Sequence, residues 1–208
     1  MTGNDEKNSG HDSSARALCP EMAEPRDQEA LTLLRKRDAR GFDLAYAQYA
    51  QRVFGFLVRL SRSRSLAEDL FQHTFLKLAQ VGPTLRADSD LRAWLFSVAR
   101  NAFHSHVRAR GVEARLDLAL LPAPSALGAG PDAGLAVQEL EQALARLGQE
   151  DRELLLLVAV EGLGHAEVAA VLALDQVTVR KRVSRARERL AQALDAQGRV
   201  MSESESTA

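Results

Sequence analysis

Apolar positions recur along most of this chain at three- and four-residue spacing, and nowhere do they alternate with period two for more than a few positions. That spacing puts a stripe on one side of a helix, so the pattern predicts helices and no strands. Pro25 suits a first turn, and Ala30, Leu31, Leu33 and Leu34 give an opening helix a short apolar face that ends near Arg37. A second pattern runs from Phe42 through Leu44, Tyr46, Tyr49, Val53, Phe56 and Leu57 to Leu60. Ser65 with Glu68 three residues on reads as a capping box, opening a helix whose inner face is Leu66, Leu70, Phe71, Phe75 and Leu78. Gly82 and Pro83 stop it. Ser89 or Asp90 then caps a fourth helix, through Leu91, Trp94, Leu95, Val98, Ala99 and Phe103 toward Arg110; by spacing, Trp94, Val98 and Phe103 share its buried face.

Between Leu121 and Gly134 the composition changes to PAPSALGAGPDAG, whose prolines and glycines break helix and whose small side chains build no core. Helical patterns resume over Leu135 to Leu147, Asp151 to Glu161, Glu167 to Leu172 and Gln176 to about Ala196. The expected organisation is all-α: a polar leader over 1–24, a helical domain over 25–112, a flexible linker over 113–134, a second helical domain over 135–197 and a free polar tail over 198–208.

The last two of these helices carry the strongest chemical signal. Val179, Val183, Ala186, Leu190 and Leu194 form one stripe, while Arg180, Lys181, Arg182, Arg185, Arg187 and Arg189 occupy the other faces. One side docks and the other is cationic. A short helix, a break and a long basic helix in succession are what a helix-turn-helix needs to enter a DNA major groove. Its first turns, with Gln176, Thr178, Arg180, Lys181 and Ser184, can reach base edges, and the arginines attract phosphates. Neutralising about five phosphates gives log affinity a slope of roughly −4.5 against log salt.

Composition alters this picture little. The net charge of −1 over 208 residues neither suggests nor excludes DNA, because acidic residues gather near both ends and basic ones on particular helices. The single cysteine, Cys19, allows no internal disulfide and no thiolate zinc site. No apolar run approaches the roughly 20 residues that span a bilayer, and the first residues lack the features of a signal peptide. A cytoplasmic protein is expected. His104 and His106 point to different faces of one helix without further ligands, so no metal is expected there. No phosphate-binding glycine loop, nucleophile motif or acid-base pair is present, which predicts no enzymatic activity and no cofactor.

Three segments in order, AEDLFQHTFLKL, WLFSVARNAFHSHVRAR and LARLGQEDRELLLLVAVEGLGHAEVAAVLAL with TVRKRVSRARERL, resemble the two domains of extracytoplasmic-function (ECF) sigma factors, promoter-recognition subunits of bacterial RNA polymerase. The resemblance covers about Gln28 to Leu194. It implies that Asp69, Gln72, Phe75, Lys77 and Leu78 bind core polymerase. It implies that Arg86, Arg92, Trp94, Arg100, Asn101, Arg108 and Arg110 recognise and help open the −10 element of promoter DNA. The −35 element would then be read by Gln176, Val177, Thr178, Arg180, Lys181, Arg182, Ser184 and Arg185. Control by an anti-sigma factor is a common property of the family.

The chain departs from the family pattern at Ser105, where an acidic residue is usual, at Ala173 and Val177, where glycines are common, and at Gly164, where a hydroxyl N-cap is typical. Val177 could contact a thymine methyl, so these changes bear on promoter preference more than on fold. Two rivals are weighed: a dimeric helix-turn-helix regulator that ignores polymerase, and a sigma mimic that sequesters an anti-sigma factor. A mimic typically loses the basic helix, which is intact here.

Overall fold

The computed structural model describes residues 25–110 and 131–205, which form eight α-helices and no strand among the described residues. The leader and most of the expected linker lie outside the described residues. The first unit holds α1 (Pro25–Arg35), α2 (Ala39–Ser61), α3 (Arg64–Val81) and α4 (Leu91–Arg110), with a 3-10 turn at Gly82–Thr84. The second holds α5 (Pro131–Arg146), α6 (Gln149–Leu155), a π-helical turn at Leu156–Val160, α7 (His165–Leu172) and α8 (Gln176–Glu205).

In the first unit, α2 is the central element. Its inner residues Tyr49, Val53, Phe56, Leu57 and Leu60 are buried against Leu31, Leu34, Leu70, Leu78, Leu95 and Phe96. Phe56 and Phe96 meet edge to face at 5.3 Å, so α4 turns Phe96 inward with Leu95, Ala99 and Phe103. Trp94 and Val98 are only half-buried, a one-residue rotation from the face expected of α4. Gly41 lets α1 and α2 approach closely: a Cβ there would lie 2.5 Å from the Leu34 backbone nitrogen. Tyr49 donates from its buried hydroxyl to the Asp27 carboxylate (2.6 and 2.7 Å), tying α1 to α2. Burial, then this carboxylate, push the Tyr49 phenol far above its ordinary range and keep it a donor.

Several boundaries differ from the expected ones. Ser63, not Ser65, caps α3, its Oγ accepting from the Leu66 N–H at 3.3 Å, while Glu68 pairs one turn back with Arg64 at 3.1 Å. Asp90 caps α4 by accepting from the Ala93 N–H. The chain is already helical at Pro131, inside the expected linker, and α8 continues to Glu205, well into the segment expected as a free tail. The helix expected over Asp151 to Glu161 is α6 with a wider π turn, in which the Glu161 N–H reaches the Leu156 carbonyl at 2.9 Å.

The second unit buries Leu147, Leu154 to Leu157, Leu163, Val168, Val171, Val179, Val183 and Ala186. Ala173 closes α7 with φ 53° and ψ 45°, a left-handed conformation that burdens an alanine with its Cβ. Ala173→Gly should therefore stabilise the unit by about 1 kcal/mol, raising its Tm by about 4 to 8 °C, as thermal unfolding followed by circular dichroism would read. A fall in Tm would mean that the alanine methyl contributes packing that outweighs the relief.

Candidate nucleic-acid interface

Helix α8 stands where the turn after α7 aims it. Asp175 fixes its start, accepting from the Thr178 N–H at 2.8 Å and from the Thr178 hydroxyl at 2.5 Å. The hydroxyl bond and then the backbone bond hold the Asp175 carboxyl below its usual range, so the cap stays charged until pH falls beneath that range. Thr178 is thereby committed to the cap. Gln176, Val177, Arg180, Lys181, Arg182, Ser184 and Arg185 are exposed, with Val177 at 59%. Val179, Val183 and Ala186 are buried beneath them. Arg182 lies 3.5 Å from Glu150, and Arg189 lies 2.5 Å from Asp151. Arg180, Lys181, Arg185 and Arg187 make no ion pair among the described residues, which leaves a row of free cations along the exposed face. At the start of α7, the Glu167 carboxylate accepts from the Gly164 N–H at 2.6 Å, supplying the half of the cap that glycine's missing side chain does not obstruct.

On α4 the expected contacts divide. Asn101 and Arg108 are exposed, and Arg108 donates to Ser105, the position that departs from the family pattern. Arg86, in the loop before α4, pairs with exposed Asp88 at 2.8 Å. Trp94 is half-buried, and the side chain of Arg110 lies outside the described residues. Arg92 and Arg100 do not face solvent: Arg92 pairs with Glu167 at 2.5 Å, and Arg100 pairs with Glu153, which His104 also approaches at 2.8 Å. Two further arginines of the first unit behave alike. Arg52 binds Glu161, and Arg59 lies 3.6 Å from Glu141. Burial pushes the Glu161 carboxyl above its ordinary range against the pull of Arg52, Arg59 and Arg92.

On α3, Asp69, Gln72 and Lys77 are exposed and can meet a partner. Phe75 and Leu78, expected on the same surface, are buried at 4% and 0% exposure, because their spacing puts them on the core face with Leu70; they support the surface from beneath. The sequence reading missed the apolar part of this surface. Tyr46 is 44% exposed and Leu76 61% exposed, and Tyr46 stacks over Phe42 and meets Phe71 and Phe75 edge to face at 6.0 and 5.0 Å. The signal available was the pair Phe42 and Tyr46, one helical turn apart, continued by Phe71 and Phe75.

A helix-turn-helix with a free cationic face, joined to a four-helix unit that displays an aromatic ledge, defines a DNA-binding transcription factor built from two helical units. The chain matches the family models for Sigma-70 region 2 over residues 45–112 and Sigma-70, region 4 over residues 137–190. It is 30% identical to the RNA polymerase sigma-H factor of Pseudomonas aeruginosa over 186 residues, 83% of this chain and 96% of the relative. It is 34% identical to the ECF RNA polymerase sigma factor SigC of Mycobacterium tuberculosis over 171 residues, covering 79% and 91%. The sigma factor RpoE of Bartonella quintana, solved in complex with the anti-sigma factor NepR, matches with a TM-score of 0.63 and 30% identity over 74% of this chain and 96% of that one. The chain belongs to the sigma-70 family, within its ECF group. It is a transcription initiation factor that binds core RNA polymerase and directs it to promoters. No helix among the described residues is long and apolar enough to cross a membrane.

Proposed function

We propose that three surfaces divide the work of this sigma factor. Asp69, Gln72 and Lys77 of α3, with the ledge of Tyr46 and Leu76, dock the clamp helices of core polymerase. The loop before α4 and α4 itself, through Arg86, Arg92, Trp94, Arg100, Asn101, Arg108 and Arg110, take the −10 element. Helix α8 reads the −35 element with Gln176, Val177, Arg180, Lys181, Arg182, Ser184 and Arg185, while Thr178 sets its first turn. The chain acts in the cytoplasm and without catalysis of its own. Because the related RpoE structure contains an anti-sigma factor, a protein partner of that kind is proposed here too.

The observation that carries this reading is the row of unpaired cations on α8, above a buried Val179, Val183 and Ala186 stripe that fixes which way they point. Opening a duplex loses about 1.4 kcal/mol of stacking per step, and one aromatic platform returns about 1 to 3 kcal/mol per captured base. A lone unit with one half-buried tryptophan cannot melt a promoter, so docking on polymerase is a required step. Purified chain mixed with bacterial core enzyme should co-elute with it and start transcripts on promoters from its own genome. A stable homodimer that binds a palindrome and ignores core enzyme would replace this reading with the polymerase-independent regulator.

A further inference from the structure

Helix α8 opens its exposed face with a valine. Positions 177, 180, 181 and 184 fall on one side of a helix by their three- and four-residue spacing, and the side chains there, Val177, Arg180, Lys181 and Ser184, are all exposed. Val177 is 59% exposed, while Val179 and Val183, on the other side of the same helix, are buried. A single exposed valine is ordinary on a protein surface. This one is set apart by its company and by its stiffness. The side chain branches at Cβ and in a helix keeps essentially one rotamer, so it meets a partner without losing freedom. Thr178 beside it cannot take over that role, because its hydroxyl donates to Asp175 at 2.5 Å and the same carboxylate accepts its N–H at 2.8 Å. Those two bonds and the buried Val179 fix the turn that carries Val177.

We infer that Val177 is a specificity residue: within the −35 element it selects a thymine by packing on the C5 methyl group. This rests on the proposed role of α8 at the −35 element and deepens it by naming the base feature that one of its residues takes. In the major groove guanine shows two acceptors, adenine an acceptor and a donor, cytosine a donor, and thymine an acceptor with a methyl group. A valine offers no hydrogen bond, so against a purine edge or the cytosine amine it strips water from a polar group and returns nothing. Only the thymine methyl gains. The first residues of a recognition helix are those that meet base edges, which is where Val177 stands. Arg180 and Lys181, one turn later, supply charge that carries no sequence preference where it falls on phosphates. Burial of one methyl-sized group against another is worth about fourfold in affinity, or about 0.8 kcal/mol at 1.4 kcal/mol per tenfold.

The test uses holoenzyme assembled from the full chain and bacterial core enzyme, on a promoter duplex that it transcribes. Each thymine of the −35 element, on either strand, is replaced in turn by uracil, which removes the methyl group and leaves every hydrogen-bonding group in place. At one position uracil should weaken binding by the unaltered holoenzyme about fourfold. Holoenzyme carrying Val177→Ala should bind the thymine and uracil duplexes with the same affinity. Arg180→Ala should weaken binding to both and keep the fourfold difference between them. Because Val177 is exposed, the alanine variant should fold as the unaltered chain does, with thermal unfolding as the check. A −35 element without thymine, thymines that all tolerate uracil, or a methyl effect that survives in Val177→Ala overturns the inference while leaving α8 as the −35 reader. If Arg180→Ala with Lys181→Ala leaves binding that depends on the −35 element unchanged, the reading of α8 falls and the role of Val177 with it.

Discussion

Asp69→Arg weakens association with core RNA polymerase by at least about 30-fold, or about 2 kcal/mol, the loss typical of an interface hot spot turned to the wrong charge. The expectation follows from where the side chain stands. Asp69 is exposed on α3, immediately before buried Leu70, so the helix is pinned from behind and presents the carboxylate at a fixed angle. Gln72 and Lys77 share its solvent side, and Leu76 with Tyr46 adds the apolar area that a partner helix would cover. The substitution touches no core contact and so should alter folding stability by no more than about 0.5 kcal/mol. Because α8 lies in the other unit, binding of duplex DNA by the free chain should remain as it was. Titration of labelled core enzyme, with circular dichroism as the folding check, reads both quantities. Undiminished core binding would move the docking surface off α3.

Much of this arrangement was legible in the sequence, and the parts that were not have physical causes. Helices with one clear apolar stripe, such as α2 and α8, announced themselves through residues like Val53, Phe56, Val179 and Val183. The π turn did not, because a run such as LLLLVAV is apolar on every side and carries no period to read. Spacing puts Trp94, Val98 and Phe103 on the buried face of α4; Phe103 lies there, while Leu95 and Ala99 take the places of Trp94 and Val98, a turn that only the meeting of Phe96 with Phe56 decides. The resemblance puts Phe75 and Leu78 on the docking surface, whereas their spacing with Leu70 places them inside, where they lie. The unit-to-unit ion pairs were beyond any local rule: Arg52 and Glu161 are 109 positions apart, and Arg92 and Glu167 are 75 apart. Periodicity reports which face of a helix is buried. It does not report which charges another unit brings to that face.

Replacing Arg180 and Lys181 together by alanine removes two of the free cations on α8, and the size of the loss can be stated from counterion release. If each contacts one phosphate, the slope of log affinity against log salt becomes less steep by about 1.8, from roughly −4.5 to roughly −2.7. Extrapolated from 1 M salt, that difference amounts to about 60-fold weaker binding at 0.1 M. The effect should be nearly independent of DNA sequence if both residues touch only phosphates, and sequence-dependent if either reaches a base edge. Both side chains are exposed and make no ion pair among the described residues, so no buried partner is orphaned there and Tm should hold. Core binding should also hold, since α3 is untouched. Affinity of the free chain for duplex DNA, measured across a salt series, reads the slope, and titration of labelled core enzyme reads core binding. An unchanged slope would mean that α8 meets DNA with a different face, and the buried Val179 and Val183 leave little freedom for that without unfolding the unit.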